Sequence, residues 1–120
     1  MIVLALAVAG ALGAVARFVL DSFVKAKVGG TFPWATVAIN ISGSLLLGFL
    51  AGLVVFDGAS TDLQTVVGTG FCGGYTTFST ASVETVRLIQ SGKRLSALAN
   101  AVGTLVLSVG ACALGFALAA

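Results

Sequence analysis

Apolar residues in this chain run on in four long blocks, where a half-buried strand would alternate them with polar ones. The blocks cover roughly residues 2–23, 33–56, 63–90 and 95–119. Each matches the ~20 mostly apolar residues that a helix needs to cross a bilayer. Short connections at 25–32, 57–62 and 91–94 carry most of the charge. The pattern predicts an all-α membrane protein, a single unit over residues 1–120 with four transmembrane helices. No basic residue precedes the first block, so it does not read as a signal peptide. The third block is interrupted by small and hydroxylated residues: Gly68, Thr69 and Gly70, then Cys72, Gly73 and Gly74, then Thr76 and Thr77. Lipid cannot satisfy free backbone amides and carbonyls. A break in the third helix is therefore expected only where it is buried in protein or faces a polar cavity.

Composition agrees with the block pattern. The chain is 58% hydrophobic and 8% charged, with a mean hydropathy of +1.15. That leaves too little polar sequence to coat a soluble domain, and no basic face for nucleic acid. Cys72 and Cys112 are the only cysteines and read as small, buried, reduced residues. There is no histidine, which removes His-based metal sites, His proton relays and Ser-His-Asp or Cys-His nucleophiles. The four acids, Asp21, Asp57, Asp62 and Glu84, form no pair at a catalytic spacing. No enzyme is expected.

The polar residues inside the blocks carry the chemistry. Arg17 precedes Asp21 by four residues, a spacing at which a helix can pair them. Two readings of Arg17 stand: a side chain snorkelling to the interface, or a basic group that attracts an anion. The second block opens Thr31-Phe32-Pro33-Trp34, a helix start at a membrane interface. Asn40, Ser44, Gly48 and Gly52 then follow at intervals of four, and Gly48 to Gly52 is a close-packing spacing. Asn40 is either helix-to-helix glue or a ligand in a polar path. In the third block, Thr76, Thr80 and Glu84 lie four apart, with Thr77 and Arg87 near the same stripe. A break there would release carbonyls that favour a cation and offer amides and hydroxyls that favour an anion; a plain packing kink is the alternative. Asn100, Thr104 and Ser108 form a donor ladder in the fourth block, with Gly103 and Gly110 nearby for close contacts. Amide and hydroxyl donors without an acid suit a small anion, and a phenylalanine edge can assist.

These residues, taken in order, resemble the Fluc/CrcB family of fluoride channels. The resemblance spans the whole chain and rests on residues 10–17 (GALGAVAR), 36–43 (TVAINISG) and above all 70–84 (GFCGGYTTFSTASVE). It implies an antiparallel, dual-topology dimer of four-helix subunits with two pores, set in membrane lipid and exporting fluoride passively. It implies pore-lining roles for Asn40 and Phe78, joined by the threonine stripe at Thr77 and Thr80 and by the ladder Asn100, Thr104 and Ser108. It also implies a structural, untransported sodium ion held by the backbone carbonyls of Gly73 and Thr76.

The chain departs from the family pattern in two respects. Ala81 stands where a second phenylalanine is common, and Asn100 where a tyrosine is often found. Moreover, all six basic residues (Arg17, Lys25, Lys27, Arg87, Lys93 and Arg94) flank the first and third connections, while the second holds only Asp57 and Asp62. Positive residues stay cytoplasmic, so the connections near Lys25 and Lys93 are expected in the cytoplasm. A one-sided chain points to a heterodimer with an oppositely oriented homologue; a homodimer that overrides the bias is the alternative. Two rivals to a channel are a proton-coupled exporter like the small multidrug resistance proteins and a non-conducting scaffold. The exporter needs an acid deep in the first span, where none precedes Asp21. The scaffold has no use for a donor ladder.

Overall fold

The computed structural model describes residues 1–30 and 32–120; Thr31, just before the second block, lies outside the described residues. Three of the four apolar blocks form single long helices: α1 (Ile2–Lys27), α2 (Trp34–Asp57) and α6 (Arg94–Leu118). All three are long and apolar enough to cross a membrane. The third block is pieced together from α3 (Thr61–Leu63), a π-helical stretch (Gln64–Cys72), α4 (Gly73–Tyr75) and α5 (Phe78–Gln90). Helices of this composition, with residues such as Val3, Phe18, Leu95 and Leu107 exposed, leave an apolar surface that water would not tolerate. The chain is an all-helical membrane protein.

Local chemistry sets the helix ends. Pro33 immediately precedes α2, where its missing amide costs nothing. Gly58 ends α2 at φ +66°, a left-handed cap that a side chain would strain, and Ala59 donates back to the Leu53 carbonyl at 3.0 Å. The Ser60 hydroxyl accepts from the amides of Asp62 and Leu63 to start α3. Gly92, at φ +78°, turns the chain between α5 and α6 while the Lys93 amide reaches back to Leu88. Lys25 and Lys27 occupy the last turn of α1, at the negative end of its dipole. Asp21 pairs with Lys25 at 3.1 Å, one turn onward, and not with Arg17 as the sequence spacing suggested. Lys25 is exposed where Arg17 is half-buried, and the Asp21→Lys25 order also suits the helix dipole.

Two close helix crossings organise the bundle. α1 runs beside the third block in the same direction. Gly13 packs against the Phe71 carbonyl, Gly74 against that of Gly10, and Gly70 against Ala9 and Leu6. α2 lies along α6, with Gly48 on the Cys112 backbone, Gly52 on Phe116 and Ala119, and Gly115 on the Leu45 carbonyl. A Cβ at Gly13, Gly48, Gly74 or Gly115 would collide with backbone, so only glycine allows this approach. Within the subunit the close α6 contact falls to Gly115; a Cβ added at Gly103 or Gly110 would meet nothing within 4 Å. α2 runs antiparallel to the third block. Thr36 meets Glu84, Asn40 meets Thr77, and Gly43 meets Tyr75 and Thr76.

Candidate functional site

The site is built around two residues that leave the helical path. Thr76 (φ −78°, ψ 159°) and Thr77 (φ −149°, ψ 120°) are extended between α4 and α5. Only the Thr77 amide leaves its helical partner; the Thr76 amide keeps the bond four residues back. Thr76 donates both its amide and its hydroxyl to the Cys72 carbonyl, each at 2.8 Å. The Thr77 amide donates to Asn40 Oδ1 at 2.9 Å, and Asn40 Nδ2 donates to the Thr77 carbonyl at 3.0 Å. The Asn40 amide thus grips the backbone of Thr77 by both faces from a helix 37 residues away. The Thr77 hydroxyl caps α5 by accepting from the Thr80 amide at 3.1 Å.

This arrangement strips two carbonyls of their helical donors. In a continuous helix the Thr77 amide would bond the Gly73 carbonyl, and the Thr80 amide that of Thr76. Asn40 takes the first amide and the Thr77 hydroxyl takes the second. Carbonyl oxygens freed in this way are the groups that would coordinate a small hard cation.

Beside the break lies a cavity of about 820 Å³ walled by α2, the third block and α6. Asn40, Gly43, Ser44 and Leu47 supply the α2 wall, a helix face at i, i+3, i+4 and i+7. Asn100, Thr104 and Ser108 supply the polar part of the α6 wall. Asn100 is buried and donates to the Thr85 hydroxyl at 2.8 Å; the Thr104 hydroxyl lies 3.5 Å from Asn100 Oδ1. The Ser108 oxygen is buried without a hydrogen-bond partner. Among the described residues, no acid, lysine or arginine lines this cavity.

The structure brings most of the candidate residues together. Asn40, Gly73, Thr76, Thr77, Phe78, Asn100, Thr104 and Ser108 all line the cavity. Phe78 is 87% exposed at its mouth. Thr80, Glu84 and Arg17 do not line it. The stripe that joined Thr76 to Thr80 and Glu84 assumed one continuous helix; α5 begins only at Phe78, so the helical count restarts there. The α5 face turned to the cavity is Phe78, Ala81, Ser82 and Thr85. Glu84 accepts a hydrogen bond from the hydroxyl of buried Thr36 and borders a second cavity of about 260 Å³ with Arg87 and Lys93. Arg17 lies half-buried on α1. Ser82 and Thr85 escaped notice in the sequence, although their spacing from Phe78 and Ala81 repeats the 3, 1, 3 steps of one helix face. Thr36 and Tyr75 carried no signal, because their partners are remote in sequence.

Residues 4–116 match the family model described as CrcB-like protein, Camphor Resistance (CrcB). Similar proteins bear out the match. A protein of Leifsonia xyli subsp. xyli named fluoride-specific ion channel FluC 1 is 48% identical, over 96% of this chain and 84% of its own. One of Nitrobacter winogradskyi named fluoride-specific ion channel FluC is 45% identical, over 94% and 90%. One of Cutibacterium acnes named fluoride-specific ion channel FluC 2 is 47% identical, over 98% and 97%. With four helices, a donor-lined cavity and these matches over nearly its whole length, the chain belongs to the CrcB family, a family of ion channels and not of enzymes.

Proposed function

We propose that this chain is a subunit of a fluoride-specific channel in the cell membrane, exporting fluoride passively and so limiting its toxicity. The observation that carries the reading is the lining of the larger cavity: a mainly apolar wall, with Leu47, Phe78 and Leu105 in it, set with amides and hydroxyls and with no carboxylate to repel an anion. A small anion surrenders strongly bound water on entering such a path, and each donor replaces part of it. Asn40 keeps a second amide proton after bonding the Thr77 carbonyl. Ser108 has a hydroxyl without a partner, and Thr104 a single long contact. Phe78 offers the positive edge of its ring at the cavity mouth. The interruption at Thr76 and Thr77 lies at membrane depth in this reading, where it is tolerated because it faces the cavity. The same lining disfavours a proton-coupled exporter, which needs an acid in its path.

The working unit is an antiparallel dimer, with the exposed Phe78 face turned toward the partner. At its centre the freed carbonyls of Gly73 and Thr76 would hold a sodium ion, two oxygens from each subunit. The donor set fits a hard cation, since both carbonyls have lost their helical amides to Asn40 and the Thr77 hydroxyl. The ion would supply fixed positive charge and tie the subunits; it is not transported.

The test is fluoride efflux from liposomes containing the full chain, with and without a co-expressed homologue. Fluoride should leave while chloride is retained, and Phe78→Ile should slow efflux about three- to tenfold, the worth of one aromatic edge contact. No fluoride efflux in either preparation, or equal loss of chloride, overturns the reading.

A further inference from the structure

Tyr75 is the last residue of α4 and sits between the two freed carbonyls, two residues after Gly73 and one before Thr76. Its hydroxyl lies 2.9 Å from Ser42 Oγ on α2. Ser42 has a single hydroxyl proton, and that proton goes to the Ile39 carbonyl at 3.1 Å. Tyr75 is therefore the donor and Ser42 the acceptor. The Tyr75 ring stacks on Phe71, with centroids 5.8 Å apart and planes at 15°. Its other neighbour is Gly43, where an added Cβ would meet the Thr76 methyl group and stand 3.2 Å from the ring.

One turn of α2 thus touches the two residues of the break and the last residue of α4. Asn40 holds Thr77 by its backbone, Gly43 receives Thr76, and Ser42 holds Tyr75 by its side chain. Asn40 acts downstream of the carbonyl pair. Between the two carbonyls, the end of α4 is fixed by the bonds to the Cys72 carbonyl and by the Tyr75 tie.

We propose that Tyr75, acting through Ser42, is a positioning residue that aims the Gly73 and Thr76 carbonyls. The inference rests on the sodium reading above. Coordination depends on where the oxygens point, and α4 is the last turn of the helical run that begins at Thr61, an end whose carbonyls no longer have helical amides to fix them. A side-chain tie to a long, packed helix supplies that direction.

The assembled channel, purified in detergent, is titrated with sodium chloride against an organic-cation chloride at constant ionic strength. Thermal unfolding is followed by the fluorescence of Trp34. Wild-type Tm should rise with sodium to a plateau. Tyr75→Phe keeps the ring stack and removes only the hydroxyl. It should raise the half-saturating sodium concentration roughly three- to tenfold, the worth of one neutral hydrogen bond. Ser42→Ala should do the same, and the double variant no more than either single one. Ser60→Ala, which removes the α3 cap far from the break, should lower Tm without moving the sodium midpoint. A wild-type midpoint retained by Tyr75→Phe overturns the positioning role while leaving the sodium site standing. A wild-type Tm indifferent to sodium overturns both.

Discussion

Asn40 commits its side-chain oxygen and one amide proton to the backbone of Thr77, one of the two extended residues between α4 and α5. Aspartate has the same shape and can still accept from the Thr77 amide. It cannot donate to the Thr77 carbonyl, and it sets a negative charge against that oxygen. Asn40→Asp should therefore destabilise the fold by about 1–3 kcal/mol, the cost of an unsatisfied buried carbonyl. It should also slow fluoride efflux well beyond the stability loss, because an anion path acquires a negative wall. Thermal unfolding and liposome efflux on one preparation check both parts, and normal efflux removes Asn40 from the path. The sequence marked Asn40 for a simple reason: an amide in a bilayer demands partners. It left the roles of glue and path residue open, and the geometry is compatible with both. Its partner was not legible, since nothing local links residue 40 to residue 77. The same holds for Thr36 with Glu84 and for Tyr75 with Ser42.

At the scale of elements, apolar length was enough to find the three unbroken helices, because a helix satisfies its own backbone. The interior of the third block was less legible. Its glycines and threonines pointed to an interruption, yet helical spacing counted across it put Thr80 and Glu84 on one stripe with Thr76, and neither lines the cavity that Thr76 lines. Periodicity holds only within a continuous helix, and α5 starts its own count at Phe78. Helix contacts were half legible. The four-residue spacing of Gly48 and Gly52 identified the contact face of α2, but on α6 the contact is made by Gly115 and not by Gly103 or Gly110. This yields a paired prediction. Gly115→Ala drives a methyl group into the Leu45 carbonyl and should destabilise the α2–α6 contact by about 1–3 kcal/mol. Gly103→Ala meets nothing within 4 Å and should be neutral or stabilise slightly through helix propensity. Thermal unfolding of the two variants in detergent separates them; equal loss in both would mean that close approach at Gly115 does not hold the helices together.

For the whole molecule, charge is the property that bears on orientation. The third block runs parallel to α1 and antiparallel to α2, so the α1–α2 and α5–α6 connections share one end of the bundle. That end gathers Lys25, Lys27, Arg87, Lys93 and Arg94, with Arg17 deeper on α1; the opposite end has Asp57 and Asp62 and no basic side chain. Short loops with such a bias insert with the basic end in the cytoplasm. An antiparallel dimer made from a chain fixed in one orientation needs a second chain of opposite bias. Ala81 lines the cavity on the same α5 face as Phe78, at the position where the family resemblance leads one to expect a second ring. In a homodimer both pores would lack that ring, whereas an oppositely oriented homologue restores it to one of them. Ser60 and Ser91 are exposed at opposite ends of the bundle. With a membrane-impermeant thiol reagent on intact cells, Ser60→Cys should label and Ser91→Cys should not until the cells are opened. Co-purification of a homologue with reversed loop charge should accompany that result. Equal labelling of both positions from outside would mean that the chain inserts both ways, and a homodimer would then suffice.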